Sequence, residues 1–185
     1  MNTKFILKTV SGQQWIQRIA HFRYQVWSEL SMIDESLFPG QACLEEVDQL
    51  ATHLVVMDQD RLVGAARYTQ YADINSAHLG LYYEDSGITP EGAAGVPERV
   101  VVDPDVKREG IGFALADAMS SLAVKRGASF TISECSPEGA KLVRKYDGPS
   151  LGMAPIDPRF PGVRFEWMLV PYRNNWGVVS KSAHK

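Results

Sequence analysis

A short glycine-bearing loop is the first stretch of this sequence whose residue types could do chemistry. It reads Lys107-Arg108-Glu109-Gly110-Ile111-Gly112 and lies directly before a helical pattern. A glycine loop that opens a helix presents several backbone N–H groups, and the helix dipole adds partial positive charge there. Such a site binds phosphate, and two basic side chains on its rim favour an anion further. We therefore predict that the loop holds the pyrophosphate of a coenzyme A-like cofactor.

The elements on either side of the loop predict how it is held. Three consecutive valines within Glu98–Asp103 indicate a central strand that is covered on both faces. Pro104 ends that strand because it cannot donate to a ladder. After the loop, apolar residues recur at helical spacing from Phe113 onward, and Gly127 is expected to cap the helix. The pattern is a strand, a basic loop and a long amphipathic helix.

Further strands and helices are expected on both sides of this centre, with Ser11 and Ser136 as helix N-caps. The stretch Tyr71–Val96 is a long connection, which is either a lid or substrate-specific insertion or an idle loop, and Gly148–Pro161 is a loop. The expected strands are Lys4–Val10, His53–Met57, Arg61–Gln70, Ser129–Cys135 and Val163–Pro171, and the expected helices are Gln13–Leu30 and Pro137–Lys145. This order predicts an α/β (or α+β) fold in which helices cover both faces of a mixed sheet.

The bulk composition limits the classes of function. A chain of 185 residues is expected to be one domain, 1–185, with a tail over about 173–185 that is either disordered or an interface arm. A net charge of −3 without a basic run argues against nucleic acid as a partner. No apolar run reaches the roughly 20 residues that cross a membrane. Cys43 and Cys135 lie far apart, which argues against a disulfide or a metal site, and a cytoplasmic location is the simplest expectation.

The loop and its neighbours resemble the cofactor motif of the GCN5-related N-acetyltransferase (GNAT) superfamily. That motif is Gln/Arg-x-x-Gly-x-Gly/Ala after a strand and before a long helix, and here Lys107 takes the first place. The upstream Val102-Asp103-Pro104 and the spacing of Ala140 before Gly148 also fit, so the resemblance covers roughly 54–148. It implies a GNAT-like mixed, mostly antiparallel central sheet with splayed strands and helices on both faces.

The front half of the chain is similar to a narrower group with the same fold, the acyl-homoserine-lactone synthases and related N-acyl amino acid synthases. The matching runs are Arg23-x-x-Val26-Trp27, Glu46-x-Asp48, Gly64-x-x-Arg67 and Arg99-x-x-Val102-Asp103-Pro104. Two acidic residues of the synthases are replaced, by Ala51 and Val96. Some ordinary small GNAT proteins share this arrangement, so the likeness leaves the acyl donor open.

The family resemblance implies that acetyl-CoA or CoA binds along the central strand and the loop. Backbone groups of the strand would pair with the pantetheine amides, the loop would hold the pyrophosphate, and the first helical turn would lie beneath it. A serine after the next strand could bond the pantetheine arm. The implied cofactor-binding residues are Val100, Val101, Val102, Lys107, Arg108, Glu109, Gly110, Ile111, Gly112, Phe113 and Ser136.

Acyl transfer from a thioester to an amine requires few groups of the protein. The protein has to hold donor and acceptor together, take a proton from the amine and protonate the leaving thiolate. Glu98, at the start of the central strand, is the first candidate for the general base, and Asp48 is its rival unless it forms a structural ion pair. Tyr146 is the candidate acid, two positions beyond Arg144, which takes the place of the family's tyrosine.

Three arginines on separate elements, Arg23, Arg67 and Arg99, would come together on one side of the sheet in this fold. Converging guanidinium groups suit a carboxylate or phosphate on the acceptor. They could instead neutralise the acidic residues of the same motifs in a buried network with no substrate role. Trp27 lies in the same matched run as Arg23, so these four residues are the expected acceptor-binding group.

Three functions remain open from the sequence. The first is an enzyme that moves an acetyl or acyl group from acyl-CoA to an amine of a small molecule or amino acid, by direct transfer in a ternary complex. The second uses an acyl carrier protein thioester and makes an N-acyl amino acid or a homoserine-lactone-type product, although the basic loop suits free CoA better. The third is a non-catalytic CoA-binding module. A homodimer through the region of Trp167 and Trp176 is a further expectation.

Overall fold

The structure of the protein is a computed structural model that describes residues 4–77, 90–146 and 148–172, with the backbone alone at Tyr146. Seven strands and three α-helices lie within these ranges. The strands are β1 (Phe5–Val10), β2 (Thr52–Asp58), β3 (Arg61–Tyr71), β4 (Ala94–Val102), β5 (Phe130–Cys135), β6 (Ser150–Met153) and β7 (Glu166–Pro171), and the helices are α1 (Gln13–Glu29), α2 (Ile111–Lys125) and α3 (Pro137–Val143). None of the described helices combines the length and the apolar character that a membrane span requires.

Hydrogen bonds join the strands in the order β1-β2-β3-β4-β5-β7-β6. The first three form an antiparallel meander, in which His53 lies opposite Arg67. Strands β4 and β5 pair in parallel at Ala94 and Gly95. Strand β7 pairs antiparallel with both β5 and β6. The predicted α/β fold with a mixed, mostly antiparallel sheet is therefore confirmed.

The chain divides into two compact units, each made of several stretches of sequence. The first draws on Met1–Thr69, Pro97–Met119 and Ile156–Val163, and the second on Gln70–Val96, Ser120–Pro155 and Arg164–Lys185. The expectation of a single domain stays a prediction, and the predicted tail over 173–185 lies outside the described residues.

Helix α1, in the first unit, follows the predicted periodicity. Its buried residues recur every three or four positions and include Arg23, so this charged side chain lies on the apolar stripe of the helix. The N-cap is Gly12, whose carbonyl accepts from Trp15 and Ile16. The prediction that Ser11 caps the helix is therefore wrong.

Strand β3 and the start of α2 lie close together in the first unit. The strand is buried without a break from Leu62 to Thr69, as a strand covered on both faces should be. A Cβ atom at Gly64 would lie 2.6 Å from Cγ2 of Ile111, so only glycine permits this approach. The N–H of Asp103 donates to the carbonyl of Val63 at 3.0 Å. These contacts fix where the loop before α2 begins.

The predicted strand, loop and helix are present, with shifted bounds. Strand β4 begins at Ala94 and continues through Pro97, although proline lacks an N–H to contribute. After Val102, the Asp103 side chain caps a 3₁₀ turn, Pro104–Val106, by accepting from the N–H of Asp105 at 2.9 Å. The loop then passes through left-handed backbone at 108 and 110, with φ of 74° and 79°. Helix α2 begins directly afterwards.

The long connection predicted over Tyr71–Val96 is shortened from both ends. Strand β3 includes Tyr71, β4 starts at Ala94, and a 3₁₀ turn occupies Ile74–Ser76. The remaining stretch, 78–89, lies outside the described residues. Its role as a lid or insertion therefore stays a prediction.

The second unit contains its own core, formed by β4, β5 and β7 side chains such as Phe130, Ile132 and Leu169. Trp167 packs in this core and is 4% exposed, so its ring offers no exposed surface for a dimer contact, while the homodimer itself stays a prediction. Trp176 lies outside the described residues. Strand β6 falls in a stretch predicted to be loop. Gly152, at φ 113°, and a register shift interrupt the strand, so its residues do not alternate regularly along the sequence.

Candidate active site

Eight charged side chains in the first unit contact one another and form what we call the charged network. Four carboxylates and four guanidinium groups balance in charge, and ion pairs of 2.6–3.1 Å join them. The members are Arg23, Arg67, Arg99, Arg159, Glu45, Asp48, Glu98 and Asp157. The network therefore brings together all three predicted arginines and both candidates for the general base.

A short 3₁₀ turn, Glu46–Gln49, supplies two of the carboxylates. Glu45 is its N-cap, and its N–H donates to Oδ2 of Asp48 at 2.9 Å, which closes a capping box. This geometry turns both side chains toward the network, while Glu46 between them is exposed. The motif Glu46-x-Asp48 thus identified Asp48 but missed its true neighbour in the network, Glu45.

Asp48 is held by two arginines. Nη1 of Arg23 donates to both of its oxygens, at 2.9 and 3.0 Å, and Nη1 of Arg67 donates to Oδ1 at 3.1 Å. Burial raises the pKa of Asp48, but the charges of Arg23 and Arg67 outweigh that effect, so its pKa lies below the ordinary value. Asp48 therefore forms ion pairs with both arginines that the sequence named as its alternative partners, and its role as a base stays a prediction.

Glu45 contacts three guanidinium groups. Its Oε2 accepts from Arg67 Nη1 at 2.7 Å and from Arg99 Nε at 2.8 Å. Its Oε1 accepts from Arg99 Nη2 at 2.7 Å and from Arg159 Nη1 at 2.6 Å. Burial raises the pKa of Glu45, but the arginines, Arg99 first among them, pull that pKa far below its usual range. Glu45 is therefore ionised and joins arginines from three parts of the chain.

Glu98 enters the network through Arg67, whose Nη2 donates to Oε2 of Glu98 at 2.9 Å. Glu98 is 3% exposed. Neighbouring residues of a regular strand point to opposite faces, yet the adjacent Arg99 reaches the same network. Arg99 has a φ of 53°, in the left-handed region, which breaks the alternation of β4 at this position.

Several nitrogen atoms in and beside the network are buried without a hydrogen-bond partner within the described ranges. They are Nε and Nη2 of Arg23, Nε of Arg67 and, beside them, Nδ1 of His53. Nε2 of His53 lies 2.9 Å from the carbonyl of Asp48. A carbonyl only accepts, so Nε2 carries the proton. Burial lowers the pKa of His53, which leaves the ring neutral with an unpaired Nδ1.

Trp27 lies beside the network and contacts an aromatic ring that the sequence did not single out. Its ring meets that of Phe160 edge to face, with centroids 5.2 Å apart. The guanidinium of Arg99 lies over the ring of Phe160, 5.5 Å from its centroid. Phe160 is 3% exposed, so it fills the space between Trp27 and Arg99.

The predicted pyrophosphate loop leaves its backbone accessible. Residues 107–110 are exposed, and no atom of the described residues lies within 4 Å of where a Cβ atom of Gly110 would be. Among the same residues, a Cβ atom on Gly112 would meet Val102 alone, at 3.8 Å. Val101 and Ile111 are buried, at 3% and 1% exposure, so they could contact a ligand only through their backbone. Val100 and Phe113 are 40% and 48% exposed.

The remaining predicted residues lie in the second unit. Ser136 is the N-cap of α3, as predicted, and its hydroxyl accepts from the N–H of Gly139 at 3.3 Å. Tyr146 ends a 3₁₀ turn, Arg144–Tyr146, and its side chain lies outside what the structure describes. The roles of both residues stay predictions.

Sequence reasoning missed four residues at the network: Glu45, Asp157, Arg159 and Phe160. Glu45 could have been found from the spacing of a capping box. The other three come from a proline-rich stretch read as loop, and no local pattern marks them. Within the described part of the chain, no group of three or more His, Cys, Asp or Glu side chains could hold a metal ion.

Comparison with known proteins identifies a matching family model. The model described as acetyltransferase (GNAT) family matches residues 13–153 of the chain. Among curated proteins, no sequence matches the chain.

Solved structures of similar fold include both kinds of acyltransferase that the sequence suggested. A CoA-dependent acyl-homoserine lactone synthase, BjaI, is 11% identical with a TM-score of 0.67, over 92% of this chain and 84% of that one. FeeM, an N-acyl amino acid synthase from uncultured soil microbes, is 10% identical with a TM-score of 0.64, over 90% of each chain. A polyamine N-acetyltransferase from Drosophila melanogaster is 11% identical with a TM-score of 0.60, over 90% and 99%. At these identities the likeness shows a shared fold.

Proposed function

The chain belongs to the acetyltransferase (GNAT) family, and from that membership we propose that it moves an acyl group from a coenzyme A thioester directly to the amine of a small molecule. As a member of this family the chain is an acyltransferase. The proposal concerns the donor, the class of acceptor, the transfer within a ternary complex and the residues that carry the reaction.

The observation that carries the proposal is the Glu98–Arg67 pair on the strand that leads into the glycine loop. Arg67 is fully buried and holds one oxygen of Glu98 at 2.9 Å, which fixes the direction of the carboxylate. A buried carboxylate of fixed direction suits proton removal from an incoming ammonium group. The same strand continues to Val102, and the 3₁₀ turn Pro104–Val106 then leads into the loop.

The loop and the start of α2 fit a pyrophosphate group. Gly110 and Gly112 leave open the space that a Cβ atom would fill, so the ligand can reach the backbone N–H groups. Lys107 and Arg108 are exposed at the rim, where they would add positive charge. When bound, the thioester supplies an acyl group that is already activated. Backbone groups of 100–102 would hold the pantetheine arm. Strands β4 and β5 pair through two residue pairs, and such a short ladder is expected where two strands splay apart.

The contacts of the two candidate bases support different roles for them. Asp48 accepts from two arginines and has a lowered pKa, so it is a weak base whose charge is already compensated. We assign proton removal to Glu98 and the positioning of Arg23 and Arg67 to Asp48. Of the predicted acceptor-binding arginines, Arg99 is the one with part of its side chain exposed, at 10%, so it is the one that would meet an acceptor.

The steps that the chain performs are then few. Glu98 takes the proton from the ammonium of the acceptor, so that the neutral amine can attack the thioester carbonyl. Backbone N–H groups stabilise the charge that develops on the carbonyl oxygen. As the carbon–sulfur bond breaks, the sulfur takes a proton from a general acid, for which Tyr146 stays the predicted candidate. The second proton, which the attacking nitrogen loses as the amide forms, replaces the one that the acid gives up. The products are an amide and a free thiol.

Transfer from an acyl carrier protein to an amino acid is the second candidate function. It is favoured by the charged network, since Arg23, Asp48 and Arg67 match the runs that resemble the synthases. The fold shared with FeeM, an N-acyl amino acid synthase, is consistent with such a product, whereas BjaI is a CoA-dependent synthase and does not support a carrier protein as the donor. The exposed basic loop favours CoA, because a carrier protein offers a single pantetheine phosphate.

The test begins with binding. Thermal shift or calorimetry with CoA, acetyl-CoA, decanoyl-CoA and an acyl carrier protein identifies the donor, and thiol release with a panel of amines and amino acids identifies the acceptor. Glu98→Gln should lower kcat by about 100-fold to 10,000-fold and leave CoA affinity unchanged. Glu46→Gln is the matched control, since Glu46 is an exposed carboxylate outside the network. The proposal fails if no CoA derivative binds, or if Glu98→Gln turns over like the control.

A further inference from the structure

A segment from the far end of the chain, Ile156–Val163, packs in the first unit and contributes to the charged network. We call it the return segment. Its residue Arg159 donates to Glu45, which lies 114 positions earlier in the sequence, at 2.6 Å. The contact therefore exists only in the folded chain.

The return segment holds Arg159 in one orientation. Its Nη2 donates to Oδ2 of Asp157 at 2.7 Å, and its backbone N–H donates to Oδ1 of the same residue at 2.9 Å. Its carbonyl accepts from the N–H of Asp34 at 3.0 Å. The next residue, Phe160, is buried against Trp27. Because these contacts already restrict the guanidinium, its binding to Glu45 costs little additional conformational entropy.

A chain of three short ion pairs leads from Arg159 to the carboxylate assigned to proton removal. Arg159 contacts Glu45 at 2.6 Å, Glu45 contacts Arg67 at 2.7 Å, and Arg67 contacts Glu98 at 2.9 Å. Arg67 serves Glu45 and Asp48 through Nη1 and Glu98 through Nη2. Glu45 and Glu98 therefore compete for hydrogen bonds from Arg67. The bond to Glu98 is stronger when other cations neutralise the charge of Glu45.

We infer that Arg159 is a positioning residue for the acyl transfer: by neutralising Glu45 from the return segment, it leaves Arg67 free to hold Glu98 in place. This inference rests on the proposed function, in which Glu98 takes the proton from the acceptor. Arg159 is 37% exposed, so it acts at the rim of the network and Arg67 acts at its buried end.

Removing the charge of Arg159 should change the pH profile in a defined direction. The carboxylate of Glu45 faces Arg67 from β3, Arg99 from β4 and Arg159 from the return segment, and its backbone N–H donates to Asp48 on the same turn. Loss of one cation makes the carboxylates of the network easier to protonate. The acidic limb of the kcat/KM profile, on which activity falls as the pH decreases, must then move to higher pH.

The test compares Arg159→Met with Arg159→Lys and with a matched control, Arg18→Met. Arg18 is an exposed arginine of the same unit that donates to the carbonyl of Asp60. We expect Arg159→Met to lower kcat by about 10-fold to 100-fold and to shift the acidic limb upward by about half a pH unit or more. Arg159→Lys keeps the charge, so its acidic limb should stay near that of the unmodified protein. Arg18→Met should change neither quantity.

A second variant keeps the inference falsifiable if Arg159→Met folds poorly. Asp157→Asn removes a negative charge and preserves the shape of the side chain, so the acidic limb should move downward. Disturbance of the return segment alone would lower activity in both variants without opposite shifts, and that outcome overturns the inference. The same holds if Arg159→Met matches Arg18→Met.

Failure of the proposed function gives a different result. If Glu98→Gln retains full turnover, the assignment of the base is wrong whatever the Arg159 variants do. If Glu98→Gln is inactive and Arg159→Met has the same acidic limb as the unmodified protein, only the positioning role inferred for Arg159 is wrong. Calorimetry with acetyl-CoA should give the same affinity for all of these variants, because none of the substituted residues belongs to the predicted pyrophosphate loop. A loss of affinity confined to Arg159→Met contradicts a positioning role.

Discussion

Arg23 donates to both oxygens of Asp48 through a single nitrogen, Nη1, at 2.9 and 3.0 Å, and each of the two side chains is only 1% exposed. Such a pair compensates the cost of burying two charges only while both partners are present. The pair joins α1 to the 3₁₀ turn that carries Glu45 and Asp48, and therefore links the first helix to the charged network.

We predict that Arg23→Met destabilises the protein by about 3–5 kcal/mol, because it leaves the buried carboxylate of Asp48 with one cation fewer. Urea unfolding measures the free energy of unfolding. The matched control is Arg61→Met, since Arg61 is half exposed and lies 3.6 Å from Asp103. An exposed pair contributes about 0–1 kcal/mol. Equal losses in the two variants would contradict the prediction.

Acid should destabilise the protein through Glu45 and Asp48. Both folded-state pKa values lie below the ordinary values of 4.5 and 3.8. The stability that these ion pairs contribute is present above the unfolded-state pKa values and is lost as the pH falls through the folded-state values. The free energy of unfolding should therefore decline from about pH 4 downward. Glu45→Gln should reduce this slope and Glu46→Gln should not. A flat profile between pH 5 and pH 3 in the unmodified protein would rule this out.

Two glycines should respond to alanine in opposite ways. Gly112→Ala places a Cβ atom 3.8 Å from Val102, so the free energy of unfolding should change by less than about 1 kcal/mol. If the pyrophosphate approaches this backbone, CoA affinity should fall about tenfold or more. Gly64→Ala places a Cβ atom 2.6 Å from Ile111, which should cost about 1–3 kcal/mol of stability. Unchanged CoA affinity in Gly112→Ala would refute the predicted pyrophosphate site.

The two cysteines should be inert in the folded protein. Burial raises the pKa of Cys43 and of Cys135 to about 12 in each case, and the side chains are 4% and 7% exposed. The thiolate is the reactive form, so almost none is present at neutral pH. A thiol reagent at pH 8 should label neither cysteine before denaturant is added and both afterwards. Rapid labelling of the native protein at Cys135 would contradict this prediction.

Much of the fold is readable from the sequence because it depends on local patterns. The valine run of β4, the proline after it, the glycine loop and the apolar spacing of α2 each act within about a dozen residues. The same holds for Ser136, which caps α3 where a serine precedes a proline. These local preferences determined the strand, loop and helix, and through them the family of the protein.

The composition of the charged network was decided by the tertiary structure. The sequence named Glu46 beside Asp48, but the capping box turns Glu45 inward instead. Arg99 reaches Glu45 in the network that also holds the adjacent Glu98, and its left-handed φ breaks the alternation that the sequence pattern would predict. Arg159 reaches Glu45 across 114 positions. The sequence by itself therefore determined which elements form and which residues could react. Only the folded chain decided which charges meet, because ion pairs depend on distances in space that neither periodicity nor spacing along the chain encodes.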